Sequence, residues 1–290
     1  MRSHNNAPAA PRAGNGTVIV YLTGALGDLV LATPTLALVR SVHRRACLHG
    51  IVPPALSELY PALFDSATGV DSAAVADLFG SHARHALHAH PVWRDVNKAI
   101  LFEPATGAMA RALAKESTIE LFCVDATPGR CPHEHYARWI WRRTAELLGE
   151  SAEFTVVAPH DREPAVPPRE PFGLVHPGSG SALKNCPGQR LAAACREFDC
   201  AQLLALEGES DGGAVAEFIE AWAGPATILP APPLAELAWY LKHAAFYVGN
   251  DSGVSQLAGT CGSRGIVFFG RTDPHVWQPL GTHLEIRRFV

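Results

Sequence analysis

From residue 17 onward the chain alternates between short, nearly continuous apolar runs and longer stretches whose apolar residues recur at helical spacing. The short runs read as strands: 17–22 (TVIVYL), 46–52 (ACLHGIV), 99–104 (AILFEP), 118–124 (TIELFCV), 172–177 (FGLVHP), 201–208 (AQLLALEG), 226–230 (ATILP), 246–251 (FYVGND) and 265–270 (GIVFFG). Helices are predicted between them. One runs from the first loop to about Arg40, another over GAMARALAKE, and a third over 133–150 (HEHYARWIWRRTAELLGE), ending at Gly149. QRLAAACREF, GAVAEFIEAW, LAELAWYLKHA and SGVSQLAGTC continue the series in the second half. A strand–helix rhythm of this kind implies parallel sheets covered by helices.

The rhythm breaks once. Residues 158–171 (APHDREPAVPPREP) carry five prolines in fourteen positions, which neither continue a helix nor enter a sheet interior. This divides the chain into a leader (1–16) expected to be disordered, an amino-terminal Rossmann-like domain (17–157), a linker (158–171) and a carboxyl-terminal Rossmann-like domain (172–290). Two such domains are expected to face a cleft, and ligands of open α/β sheets bind beyond the carboxyl ends of strands. Every loop that follows a strand is therefore a candidate site. The Ala/His-rich stretch 65–95 gives no clear element, and no repeat of domain-building length is visible.

Composition narrows the classes. With 290 residues and 48% hydrophobic content the chain suffices for one large domain or two of ordinary size, and a net charge of −4 leaves no broad basic face for nucleic acid. The apolar runs fall short of the ~20 residues of a membrane span, and 1–16 lack a signal-peptide apolar core, so a cytoplasmic protein is expected. Seven cysteines, odd in number and without a CxxC pair, argue against a disulfide framework or zinc site.

Three loops at strand ends carry the candidate chemistry. The first is Gly24-Ala25-Leu26-Gly27-Asp28. Its glycines permit a tight turn and close approach of a ligand, but the spacing is neither the dinucleotide fingerprint nor a P-loop. Asp28 is either functional or simply a helix N-cap. The second, 176–187 (HPGSGSALKNCP), offers Ser179, Gly180 and Ser181 as flexible hydrogen-bond donors, Lys184 as a cation and a helix start after Pro187, a combination suited to phosphate. The third, 249–262 (GNDSGVSQLAGTCG), places Asp251, Ser252 and Gly253 where a strand ends and a helix opens. The segment 269–274 (FGRTDP) follows the next strand and is placed to close the same pocket.

Together these loops resemble glycosyltransferase family nine, the heptosyltransferases that use ADP-heptose in lipopolysaccharide core assembly. The resemblance rests on G-x-x-G-D with a proline six residues on (Asp28 to Pro34), H-P-G-S-x-x-x-x-K (His176 to Lys184), G-N-D-S-G (Gly249 to Gly253) and F-G-x-T-D-P (Phe269 to Pro274), in that order. It implies a GT-B fold and an inverting, metal-independent transferase with no cofactor beyond the ADP-sugar co-substrate. By this resemblance Asp28 is the general base on the acceptor side with Gly24 and Gly27. Lys184 is catalytic and also binds the donor, with Ser179, Gly180, Ser181, Asp251, Ser252, Gly253 and Gln256. A carboxylate after the 201–208 strand, Glu207 or Glu209, would grip the ribose. A helix start is expected to lower the Asp28 pKa. Two departures stand out: Gln256 where a histidine is expected, and Lys184-Asn185-Cys186-Pro187 in place of K-x-W-P.

Arg130 and His133 read either as contacts to a charged acceptor or as surface charge at a helix start. His82, His85, His88 and His90 read as a solvated stretch rather than a metal site, and Trp139, Trp141 and Trp239 as core. The partners implied are a nucleotide-sugar donor and a glycan or lipid-linked glycan acceptor, with contact to a membrane only peripheral. The competing readings are a nucleotide-sugar-binding protein without turnover, a sugar-nucleotide epimerase or hydrolase, and a natural-product glycosyltransferase.

Overall fold

A computed structural model describes residues 16–289 apart from 81–84, 86, 88, 115–117 and 132. Residues 1–15, His82 and His88 lie outside the described residues. The first sheet is built from β1 (Thr17–Tyr21), β2 (Cys47–Ile51), β3 (Ser66–Thr68), β4 (Val96–Leu101) and β5 (Glu120–Cys123), in the order β3-β2-β1-β4-β5. The second contains β6 (Phe172–His176), β7 (Gln202–Glu207), β8 (Thr227–Pro230), β9 (Phe246–Asn250), β10 (Gly265–Phe269) and β11 (Leu284–Arg288), in the order β11-β10-β9-β6-β7-β8. All pairings described are parallel.

The helices are α1 (Leu26–Val42), α2 (Pro54–Leu59), α3 (Ala73–Ala76), α4 (Ala108–Ala114), α5 (Tyr136–Leu148), α6 (Gly188–Cys195), α7 (Gly212–Trp222), α8 (Leu234–His243), α9 (Gly253–Cys261) and α10 (Pro274–Trp277). Glycine ends two of them where the chain turns into a left-handed conformation: Gly149 at φ 67° after α5 and Gly262 at φ 77° after α9. Beyond α5, residues 150–171 hold no regular element.

By proximity of Cα atoms the chain forms two compact units. One comprises the residues up to Gly24, Pro34–Arg130 and Arg138–Thr155; the other comprises Ala25–Thr33, Cys131–Ala137 and Val156–Val290. The first holds the five-stranded sheet, with Ile19, Leu101, Trp93, Met109 and Leu113 among its buried core. The second holds the six-stranded sheet, with Val175, Leu191, Phe218, Phe246 and Phe268 buried together. The opening turns of α1 and the segment before α5 group with this second unit.

The division of α1 falls at Pro34, which lies inside the helix. Proline has no N–H to give the carbonyl four residues back. The Thr33 hydroxyl supplies the missing donor, 2.8 Å from Val30 O.

Sequence and structure differ in several places. Strands β3 and β11 were not anticipated. Most predicted ends shorten by one to three residues, as frayed ends do, and β4 begins earlier, at Val96. Helix α1 starts at Leu26, so Asp28 stands inside its first turn rather than at the cap. Trp139 is buried, whereas Trp141 and Trp239 are only half-buried. Trp141 stands edge-on to Phe154, and Trp239 stacks on His243 with ring centroids 4.3 Å apart. All seven cysteines are free.

Candidate active site

The order of each sheet marks where a ligand crevice opens. In the second sheet successive strands run outward from β6 on one side, through β7 to β8, and from β9 through β10 to β11 on the other. The loops after β6 and β9 leave this switch point in opposite directions, the arrangement that receives ligands in open α/β sheets. The first sheet has its switch point between β1 and β4, so the loop 22–25 leaves from an equivalent place.

Buried side chains set the loop after β6. Asn250, fully buried at the end of β9, donates from Nδ2 to Pro177 O at 2.7 Å and accepts the Cys186 N–H at Oδ1 at 2.9 Å. One side chain thus pins both ends of the segment that carries Ser179, Gly180, Ser181 and Lys184. Within it, Ser179 Oγ lies 2.7 Å from both Ser181 O and Asn185 Oδ1; its single proton serves one at a time. Ser181 and Gly180 are exposed.

Lys184 is not a free cation. Its Nζ is 2.8 Å from Asp251 Oδ2, and Asp251 is 5% exposed. The same carboxylate oxygen accepts the Thr272 hydroxyl at 2.5 Å, which brings the 269–274 loop to the pair. Ser252 caps α9 by accepting the Ser255 N–H at 3.3 Å. That leaves the N–H groups of Gly253 and Val254, which no intrahelical carbonyl reaches, two and three residues after Asp251 in the chain. Gln256, 3% exposed, donates from Nε2 to Trp277 O at 2.6 Å, and its Oε1 has no partner.

The start of α1 abuts the start of α9 within the second unit. A Cβ on Gly253 would come 2.9 Å from Leu26 Cβ and 3.0 Å from Gly27 N, and one on Gly27 would meet Gln256 Cγ at 3.4 Å. Both glycines serve this close approach. Gly24, at φ 150°, holds a backbone conformation that glycine takes readily and side chains resist.

Asp28 Oδ2 accepts the Ala25 N–H at 3.3 Å, the reciprocal half of a capping box. Its pKa nevertheless lies above the ordinary carboxylate range. Burial raises it, and the Ala25 N–H and the Lys184 charge, which lower it, do not compensate. The expected depression by the helix start is thus reversed, because desolvation outweighs the one backbone donor. Burial also pushes the Tyr136 phenol up, with the Asp28 carboxylate adding to the effect. Tyr136 stacks on Trp277 with ring centroids 4.9 Å apart, and sequence reasoning missed both as neighbours of the site.

Glu209 and His133 are exposed. Arg130, in the first unit, pairs with Asp125 at 2.6 Å. The buried carboxylate after β7 is Asp211, which neither Glu207 nor Glu209 anticipated. A hollow of about 710 Å³ in the first unit lies at the amino ends of β1, β4 and β5, away from the strand ends that carry this chemistry. Two of its cations are locally engaged: Arg44 holds Ser41 O at 3.1 Å, and Lys98 lies 3.5 Å from Glu120. Among the described residues no group of three or more His, Cys, Asp or Glu is placed to hold a metal ion, and no helix is long and apolar enough to cross a membrane.

Fold and loops together define a GT-B type architecture of two Rossmann-like units, and the chain is of the glycosyltransferase class. Residues 150–288 match the model of glycosyltransferase family 9 (heptosyltransferase), so the carboxyl-terminal half is a domain of that family, and the resemblance read from the motifs holds. Three of the four motifs fall within the match. Among solved structures, the family 9 glycosyl transferase of Veillonella parvula is 15% identical with a TM-score of 0.74, over 96% of this chain and 87% of that one. Heptosyltransferase WaaC of E. coli with ADP gives 16% identity and a TM-score of 0.67, over 94% and 93%. E. coli ADP-heptose lps heptosyltransferase II gives 14% and 0.67, over 94% and 91%. At these identities the structural likeness establishes the fold. No curated protein sequence matches the chain at a significant level.

Proposed function

We propose that this protein transfers a heptose, or a related sugar, from ADP-heptose or another nucleotide-diphosphate sugar to a glycan acceptor with inversion, and that it needs no metal. The acceptor this reading favours is lipopolysaccharide core, and the setting is the cytoplasm, with peripheral membrane contact. The observation that carries it is the Asp28 carboxylate, held above its ordinary range by burial within electrostatic reach of Lys184. A base works best when its pKa approaches the working pH.

The acceptor hydroxyl attacks the anomeric carbon from the face opposite the diphosphate, and Asp28 takes its proton. The bond from the anomeric carbon to the diphosphate oxygen breaks, and ADP leaves with the bonding electrons. Lys184, Ser179, Ser181 and the N–H groups at Ser252 and Gly253 offset the growing negative charge, with Asp251 and Gln256 also on the donor side.

Titration calorimetry with ADP in chelator-treated buffer tests the donor half, and release of ADP from ADP-heptose across phosphorylated and unphosphorylated core sugars tests the transfer. Binding that requires magnesium removes the metal-free handling of phosphate. Tight ADP-heptose binding with no release against any acceptor favours a binding protein without turnover.

A further inference from the structure

Strands β9, β6 and β7 are neighbours in the second sheet, and one line of buried polar side chains crosses their carboxyl ends. Asp211 comes from the turn after β7, His176 is the last residue of β6, and Ser252 caps α9 after β9. His176 Nε2 is 3.0 Å from Asp211 Oδ2, and its Nδ1 is 3.4 Å from Ser252 Oγ. Exposure is 4% for His176, 8% for Asp211 and 9% for Ser252. The Asp211 carboxylate also accepts the Gly208 N–H at 3.0 Å, and it fills the space that a side chain at Gly178 would need.

The chemistry of the donors fixes a direction. The Asp211 carboxyl lies below its ordinary range, chiefly through its hydrogen bond with His176, so it is ionised and only accepts. The proton between the pair therefore sits on His176 Nε2. On its other side the ring meets the Ser252 hydroxyl through Nδ1, and the hydroxyl donates wherever that nitrogen carries no proton. That hydroxyl already accepts the Ser255 N–H. With Ser255 Oγ a further 3.4 Å neighbour, the hydroxyl faces inward, and the N–H groups of Gly253 and Val254 are the α9-start donors that no intrahelical carbonyl or cap reaches.

We propose that His176 and Asp211 are positioning residues for the donor diphosphate, joining the turn after β7, the loop after β6 and the start of α9 so that the α9 N–H groups hold a fixed aim. This rests on the reading above that those groups receive the diphosphate. A buried histidine–carboxylate pair is weak evidence for stability alone, and its place at the meeting of three loops is what points to alignment.

The test compares Asp211→Asn with Ser263→Ala in the intact chain. Ser263 Oγ donates to Leu241 O at 2.7 Å and is 5% exposed; it precedes the amino end of β10, so its loss is a buried hydrogen bond far from the donor loops. ADP affinity is read by calorimetry, stability by urea unfolding, and the histidine tautomer by ¹⁵N NMR of histidine-labelled protein. Asp211→Asn is expected to weaken ADP binding about tenfold, the scale of one charge-assisted hydrogen bond, and to disturb the Nε2–H signature. Ser263→Ala is expected to lose stability with ADP affinity unchanged. If Asp211→Asn fails to fold, His176→Gln, which retains a donor toward Asp211, carries the same comparison. A folded variant that behaves like Ser263→Ala, or a wild-type His176 protonated on Nδ1 alone, overturns the positioning role and leaves the proposed function standing. A wild type that does not bind ADP overturns both.

Discussion

The loops after β1 and β6 leave equivalent places in their two sheets, yet they are held in opposite ways. After β6 the chain is fixed from beneath: Asn250 grips Pro177 O and Cys186 N–H, and His176 joins Asp211 and Ser252. After β1, Thr23, Gly24 and Ala25 are exposed, and Asp28 receives one described hydrogen bond, the 3.3 Å contact from Ala25 N–H. The consequence is electrostatic. Asp211 has its His176 and Gly208 donors and its pKa falls, whereas Asp28 has a single long one and burial lifts its pKa. A carboxylate that the fold satisfies becomes structure; one left undersupplied with donors stays available for a proton.

Asp28→Asn breaks this comparison most severely. Asparagine keeps the shape and the acceptor toward Ala25 N–H but cannot take a proton at neutral pH. Sugar transfer is expected to fall by about 10²–10⁴, the range of general-base help, with ADP affinity nearly unchanged. Normal turnover by the folded variant, measured as ADP release, makes Asp28 only the first-turn partner of a capping box.

Lys184→Ala acts on the other loop. Losing a charge-assisted contact to diphosphate costs roughly 1.5–3 kcal/mol, about 10- to 100-fold in affinity. Its pairing with Asp251 at 2.8 Å puts the expected loss at the upper end, because alanine also leaves a buried carboxylate unneutralised beside the ligand's charge. Calorimetry with ADP measures this, and an unchanged dissociation constant removes Lys184 from the donor site.

How far the sequence revealed this depends on the range of each interaction. The strand–helix rhythm placed nine of the eleven strands among the described residues, because apolar runs and helical spacing are local signals. β3 is three residues of Ser-Ala-Thr, and β11 alternates polar and apolar residues at a sheet edge, so neither shows a run. Asp28, Lys184, Ser252 and Gly253 stood out as candidates from their places at strand ends. Asn250 and Asp211 did not: each works through partners far along the chain, Asn250 on Pro177 and Asp211 on His176, and nothing near them announces a staple. The Lys184–Asp251 pair and the rise in the Asp28 pKa share this origin, since both depend on burial that only folding creates.

Asn250→Asp sharpens the comparison from the rigid side. The carboxylate still accepts the Cys186 N–H but loses the donors to Pro177 O and sets like partial charges together. Stability is expected to fall by about 1–3 kcal/mol, the cost of leaving a buried polar group unsatisfied, read as a lower urea midpoint with an unchanged slope. ADP affinity should fall with it. A variant as stable as the wild type shows that the loop after β6 is held by something other than Asn250.

The smallest expected effect belongs to the loose side and is a change of slope rather than of magnitude. The folded Asp28 carboxyl keeps its proton at pH values where the unfolded chain has lost it. Between the ordinary aspartate range and the raised folded pKa, the folded state binds more protons, so this group's contribution to stability falls as pH rises through that window. Above the window the penalty of the buried charge stays in full. Asp28→Asn removes the titration, so the variant should gain on the wild type across the window and keep a constant lead beyond it. Lys184 pulls the Asp28 pKa down. In a Lys184→Ala background the window should therefore widen upward, and the acid limb of kcat/KM should move up with it. Urea unfolding at a series of pH values gives the first reading and initial rates the second. Stability curves for Asp28→Asn and wild type that stay parallel throughout would mean that Asp28 titrates as an ordinary surface carboxylate, and the contrast with Asp211 would then lose its electrostatic basis.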